Sequence, residues 1–297
     1  MMTRTSYCVC RWARRPRTFG NFPHRPLVQY RRTAFSAPDH RNHRRSFDFS
    51  AIRRTKPFDP WLLGEMRSNH AGETGAVSIY DGALWALSVR AKARSSCGAI
   101  GEAALGGKWL EYEEHLRQFA MEHRASESEH VELLEEVLID DERSVLLPAW
   151  KVAGFALGAI STAWCPRGMY VTTEAVEAFV EEHYGDQIRR LGEEIRFAEE
   201  KESVKDDVLV TSSGMDTTLK NQTHGGNTGI TYLEIIGGKR ELLLMLEYCC
   251  ADEVHHKEEA RHRAAEGPLP WFKQVDSIWQ AFVRAGSAAA ASCAKKV

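Results

Sequence analysis

Residues 251–256 read Ala-Asp-Glu-Val-His-His, and the spacing inside this stretch decides the fold. Glu253 and His256 stand three apart in a segment whose apolar residues repeat at helical intervals. A pair at i and i+3 shares one face of a helix, so the carboxylate and the imidazole point the same way. Leu242, Leu246, Cys249, Glu253, His256 and Ala260 fall on one stripe, so the polar pair continues an apolar face. A bare carboxylate there is costly unless a cation or hydrogen bonds compensate it. A metal ion meets that need. Glu259 and His262 repeat the spacing on another face of the same helix and read as solvated.

One such pair is weak by itself. With 41 acidic residues and 12 His in 297, about one or two matches arise by chance. The rest of the chain supplies the context. Upstream of 251, residues 174–203 form a helical run with Thr172 or Thr173 as its cap, and Glu177 interrupts the stripe Val180, Tyr184, Ile188, Leu191, Ile195. A run over 108–139 carries Leu116, Ala120, His123, Glu127, then His130 or Val131, Leu134 and Leu138. Its Glu127 and His130 are a second Glu-x-x-His, though "EHRASESEH" alone also suits an exposed charged helix. A helix starting at Asp59-Pro60, a good N-cap followed by Pro at the first helical position, carries Leu62, Met66, Glu73, Val77, Tyr80, Leu84 and Leu87.

The order is thus lone Glu, Glu-x-x-His, lone Glu, Glu-x-x-His, one set per helix. This predicts an all-α, ferritin-like helical bundle built from two helix-pair repeats, with an extra helix after each pair. Four facing helices so equipped build a di-iron or di-manganese carboxylate site. Four carboxylates balance two divalent cations, and two imidazoles without thiolates argue against zinc.

The remaining segments set the domain plan. Residues 1–46 hold eleven Arg, no Lys and one acid, Asp39, whereas the remainder is strongly acidic. Such an Arg-rich, acid-poor opening reads as a mitochondrial transit peptide, residues 1–50 and disordered. A basic arm for nucleic acid is the rival, disfavoured by the missing Lys and the acidic domain that follows. The domain proper is 57–297. Seven unpatterned Cys fit a reducing compartment. Residues 95–107 read as a flexible connection, and 203–238, rich in Ser, Thr, Asn and Gly, as an exposed insertion. Residues 152–163 are uncharged but too few to span a bilayer. They and the Trp-rich run 270–290 read as core or as a membrane-surface face.

The sequence also resembles the demethoxyubiquinone hydroxylases of ubiquinone biosynthesis. The resemblance rests on NHAGETGAVSIYDGAL (69–84), LLPAWKVAGFALGA (146–159), EAVEAFVEEHYGDQI (174–188) and ADEVHH (251–256). It implies metal ligands Glu73, Glu127, His130, Glu177, Glu253 and His256, with His183 and Tyr184 in a supporting catalytic role. In an alternative register Trp109 matches a family Trp, placing Tyr112 and His115 at the ligand positions. That register replaces a carboxylate by Tyr and is rejected. The insertions at about 95–110 and 203–238 exceed the family's usual length.

The resemblance further implies an O₂-dependent monooxygenase, an oxidoreductase with two Fe ions as cofactor, hydroxylating the ring of a polyprenyl demethoxyquinol. NADH or another external reductant would supply electrons, since no Gly-x-Gly-x-x-Gly fingerprint is present. It implies a peripheral position on the matrix side of the mitochondrial inner membrane, through 152–163 and the C-terminal helix, and a lipid-binding partner protein, with no nucleic acid. A ferritin-like iron-binding or iron-oxidising protein, or another di-iron carboxylate oxidase, would use the same ligand types. A radical-bearing reductase subunit and a metal-free helical scaffold complete the alternatives.

Overall fold

Asp59 starts the first long helix. Its side chain accepts hydrogen bonds from the N–H groups of Trp61 (3.0 Å) and Leu62 (3.1 Å), and Pro60 takes the position where a missing N–H costs nothing. The computed structural model describes residues 47–96, 107–212, 231–266 and 273–297. Among them are α1 (Phe49–Arg54), α2 (Pro60–Ser96), α3 (Gly107–Val137), α4 (Leu147–Trp164), α5 (Pro166–Ser212), α6 (Tyr232–Glu266) and α7 (Lys273–Ala294), and no strand. The all-α expectation holds, and the arrangement is consistent with a ferritin-like bundle.

The four long helices α2, α3, α5 and α6 carry the residues that matter, and α4 and α7 pack against them. Two apolar plugs fill the interior at different heights. One gathers Leu62, Met66, Leu134, Leu191 and Leu246, and the other gathers Tyr80, Leu87, Leu116, Phe119 and Tyr170. On every long helix the acidic or Glu-x-x-His positions fall between the two plugs in sequence. The polar centre therefore sits in mid-bundle, with hydrocarbon above and below.

The run Pro148-x-Trp150-x-x-x-Gly154-Phe-Ala-Leu-Gly158 now has a physical reason. Gly154 and Gly158, four apart, share the face of α4 that meets α2. A Cβ on Gly158 would fall inside the van der Waals radius of the Ile79 carbonyl oxygen, and one on Gly82 would strike that of Phe155. Backbone meets backbone here, which only glycine permits. The opposite face of α4 leaves Val152, Phe155, Ile160 and Trp164 exposed.

Several expectations need correction. Helix α5 begins at Pro166, not at Thr172 or Thr173; both threonines are buried, and Thr172 Oγ1 donates back to the Gly168 carbonyl at 2.8 Å. Residues 47–50 belong to the packed body: Phe47 is buried, and its ring meets Tyr248 at 5.9 Å. The boundary read at residue 50 therefore falls inside the packed body. The insertion read as 203–238 is helical at both ends, through Ser212 and from Tyr232 onward, and Ile236 and Gly238 are buried. Residues 1–46, 97–106 and 213–230, where the other tail and loop readings fall, lie outside the described residues.

Candidate metal centre

Glu127 and Glu253 hold the middle of the site. Glu73 on α2, Glu127 and His130 on α3, Glu177 on α5, and Glu253 and His256 on α6 converge there. All six are buried, and Glu127, His130 and Glu253 are 0 % exposed. They form two sets of four: Glu73, Glu127, His130 and Glu253, and Glu127, Glu177, Glu253 and His256. Within each set the ligand-type atoms lie within 4.8 Å of one another. Glu127 and Glu253 belong to both sets, as bridging carboxylates would, whereas Glu73 and Glu177 each belong to one. At the position left open between His130 and Val131, His130 is the fully buried residue.

Both imidazoles aim Nδ1 inward. His130 Nδ1 is 3.0 Å from Glu253 and 3.6 Å from Glu127, and His256 Nδ1 is 3.1 Å from Glu127. Yet neither Nδ1, nor any carboxylate oxygen of Glu127 and Glu253, makes a hydrogen bond of acceptable geometry. Buried polar atoms are nearly always satisfied. Six such orphans around one point fit a set of cation ligands.

The electrostatics agree. Burial, then the Glu253 charge, raises Glu73 to about 8. Burial, then the Glu253 and Glu127 charges, pushes Glu177 well above the usual carboxylate range. In Glu127 burial also acts upward, but His130 and His256 outweigh it and hold the carboxyl well below its ordinary value. Burial opposes the charge on His256, yet Glu127 and Glu253 lift it to about 10. Without cations four carboxylates cannot all ionise in this volume. The raised carboxyls of Glu73 and Glu177 and the raised imidazole of His256 mark a cluster short of positive charge, which metal cations would supply.

The surroundings orient these groups. Tyr184 donates to Glu73 Oε1 at 2.5 Å. His183 lies apart from the six: its Nε2 is 3.3 Å from Ser68 Oγ and 3.4 Å from Glu65, and its ring stacks on Phe179. Two contacts were not read from the sequence. Asp252 lies 3.2 Å from His130 Nε2, the outer nitrogen. His123, buried, lies 3.2 Å from Glu259 Oε2 with its ring centroid 4.1 Å from that of His256. Glu259, expected to be solvated, is thereby a half-buried partner, and His123 holds its carboxyl down at about 2. His115 of the rejected register is exposed, and Tyr112 donates instead to the Arg263 carbonyl at 3.2 Å.

An apolar chamber of about 470 Å³ opens onto Glu73, Glu177 and Tyr184. Leu157, Phe179, Val180 and Phe282 supply hydrocarbon, while Ser68, Asn69 and His183 place polar atoms on its wall. It lies among α2, α4, α5 and α7.

Comparison with known proteins follows the same lines. The profile of the family described as "Ubiquinone biosynthesis protein COQ7" matches residues 104–294. That span contains Glu127, His130, Glu177, Glu253 and His256, and Glu73 precedes it. The chain is 36 % identical over 129 residues to a Rattus norvegicus protein named NADPH-dependent 3-demethoxyubiquinone 3-hydroxylase, mitochondrial, covering 43 % of this chain and 49 % of that one. It is 32 % identical over 132 residues to the 3-demethoxyubiquinol 3-hydroxylase of Rhodospirillum rubrum, covering 43 % and 51 %. A Caenorhabditis elegans relative, named as the rat protein is, shows 29 % identity over 167 residues, 56 % and 73 % of the two chains. The chain spans about half the length of the first two of these relatives. With a family profile matched across most of its length, the chain belongs to the ubiquinone biosynthesis protein COQ7 family.

Proposed function

We infer that the chain is a di-iron hydroxylase acting on the ring of a demethoxyubiquinol. The observation that carries this is the pair of four-residue sets sharing Glu127 and Glu253, of which Glu73 and Glu177 reach the wall of an apolar chamber. Glu73, Glu127, His130, Glu177, Glu253 and His256 would hold the two ions. Bound there, the ions would supply O₂ activation at an oxygen-rich site. The chain's own residues do the rest. Tyr184 fixes the Glu73 carboxylate, Asp252 fixes the His130 ring, and the two apolar plugs keep water from the centre. The chamber takes the flat ring between hydrocarbon walls, with Ser68, Asn69 and His183 available to its oxygens.

The names of the relatives support a demethoxyubiquinol substrate, and the rat protein's name, which specifies NADPH, supports a nicotinamide reductant. They also support a mitochondrial address, with the Arg-rich opening as the targeting segment. No helix among the described residues is long and apolar enough to cross a membrane. The exposed Val152, Ile160 and Trp164 on α4 and Ile278 and Phe282 on α7 suit peripheral attachment to the inner membrane, where a lipid-binding partner protein could also dock. The test is metal content of the purified chain together with O₂- and reductant-dependent hydroxylation of a short-tailed demethoxyquinol. Two irons per chain and a product one oxygen heavier are expected. A loaded protein inert toward that quinol overturns the reading.

A further inference from the structure

A series of aromatic rings runs along α3 away from the metal centre. The ring of His123 lies 4.1 Å from that of His256, 3.9 Å from that of Phe119 and 5.8 Å from that of Tyr80, centroid to centroid. Phe119 meets Tyr80 of α2 at 6.3 Å and Tyr170 of α5 at 4.9 Å. Tyr170 meets Tyr112 at 5.6 Å, and Tyr112 meets Trp109 at 6.4 Å. Tyr80 stands at the inner end, where burial, then the charges of Glu177, Glu127 and Glu253, raise its phenol well above its ordinary value. Trp109 stands half-buried at the outer end. It is eighteen residues from Glu127 on the same helix, roughly 27 Å.

Packing alone does not ask for the hydroxyls in this series. Tyr80 and Tyr170 are 1 % and 0 % exposed, and neither phenol oxygen makes a hydrogen bond of acceptable geometry. Phenylalanine would fill the same space without burying an unpaired polar atom. What a phenol has and a phenyl lacks is ready one-electron oxidation, a property the indole shares. Electron tunnelling decays exponentially with distance, so several steps from ring to ring far outpace one jump over the whole length.

We propose that Tyr80, Tyr170, Tyr112 and Trp109 carry electrons from the surface to the metal centre, and so disarm oxidant formed from O₂ when no quinol is bound. This rests on the O₂-activating reading above and adds a protective activity to it. Each pass takes one electron from Trp109, and the tyrosines between are oxidised and re-reduced in turn. The balancing proton leaves the indole nitrogen for water. O₂ accepts two electrons from the irons, two from Trp109 and four protons from solvent, and becomes two waters. Ascorbate or a thiol outside the protein re-reduces Trp109 after each pass. Without such a donor, the twice-oxidised indole adds water, loses its protons to solvent and becomes hydroxytryptophan.

The test loads the full chain anaerobically with ferrous iron, removes unbound metal, and admits O₂ with catalase present and no quinol. Iron content is read first. Rapid-freeze electron paramagnetic resonance then looks for an organic radical, and peptide mass spectrometry maps added oxygen. A radical and an oxidised Trp109 are expected, with ascorbate preventing the second. Tyr170→Phe removes one unpaired oxygen, so fold, iron content and hydroxylation of a short-tailed demethoxyquinol should be unchanged. Oxidation of Trp109 should fall at least five-fold, with damage moving inward to Tyr80 and His123. Tyr112→Phe should act alike, and Trp109→Phe, at a half-buried position, should leave the added oxygen on Tyr112. Thermal midpoints check the folding of all three.

Oxidation of Trp109 that Tyr170→Phe and Tyr112→Phe leave unchanged overturns the proposal, since exposure alone then explains it. So does equal oxidation in the iron-free chain, or damage confined to the metal-site residues. Hydroxylation of the quinol without Tyr170-dependent oxidation of Trp109 sinks the electron route alone. Tyr170-dependent oxidation without hydroxylation sinks the hydroxylase reading and leaves the route standing. A chain that takes up no iron overturns both.

Discussion

Asp252 holds the outer nitrogen of His130, 3.2 Å from Nε2, while the inner Nδ1 faces Glu253, the residue next to Asp252 in the chain. One helical step on α6 thus supplies both a carboxylate for the centre and the group that aims an imidazole from α3 at it. A carboxylate behind a ligating histidine fixes its tautomer and ring orientation. Asp252→Asn should therefore leave the fold intact and weaken metal retention about 10- to 100-fold. Chelator competition followed by metal analysis measures this, and unchanged retention would show that the ring is held by packing alone.

The two registers of α3 make opposite predictions. Glu127 and His130 are 0 % exposed at the centre, whereas His115 is exposed. Glu127→Ala and His130→Ala should lose bound iron, and His115→Ala should keep it. Tyr112→Phe should also keep it, at a cost of about 0.5–1.5 kcal/mol for the lost bond to the Arg263 carbonyl. Iron stoichiometry of the four variants side by side decides the point.

Metal loading should depend steeply on pH. In the metal-free chain Glu73 is raised to about 8, Glu177 is raised well above 4.5, and both imidazoles are raised above 6.5. Filling the site with divalent cations would displace protons from these groups, so apparent affinity should climb as pH rises. The stability of the metal-free chain should move the other way. A carboxyl whose folded value lies above 4.5 binds more protons folded than unfolded, so the contribution of Glu73 falls as pH rises from 4.5 through about 8. That of His256 is fully present below 6.5 and is lost as pH rises through about 10. Calorimetric titration in buffers of different ionisation enthalpy counts the protons. Thermal melts of the metal-free chain from pH 6.5 to pH 9 test the second slope, above the range in which His70, His123 and His183, lowered by burial, add stability as pH rises.

The close approach of α2 and α4 predicts a different kind of damage. Gly158→Val would drive a branched side chain into the Ile79 carbonyl. The cost should be about 1–3 kcal/mol or more, as for an overpacked core, and the chamber between α2, α4 and α7 should be distorted with it. Thermal denaturation should show a lowered midpoint, and quinol affinity should fall even in variants that still load metal.

The sequence by itself determined the helices and which face of each is buried, because helical periodicity is a local property. Glu253 and His256 continue the stripe of Leu242, Leu246 and Cys249, and Glu127 continues that of Leu116 and Ala120, whatever the neighbouring helices do. Four interrupted stripes were enough to indicate a bundle with an acidic centre. Tertiary structure alone decided how the pieces meet. That Glu127 and Glu253 are shared between the two sets while Glu73 and Glu177 are not depends on the crossing of four helices, and no spacing encodes it. Asp252 and His130 lie 122 positions apart, and Glu259 and His123 lie 136 apart, so their pairing left no local periodic signal. Pro166 displaced Thr172 and Thr173 as the start of α5 because both threonines found a buried setting inside the helix. Phe47 and Ile236 joined the core from segments read as tail and loop because Tyr248 and α1 were waiting there to bury them.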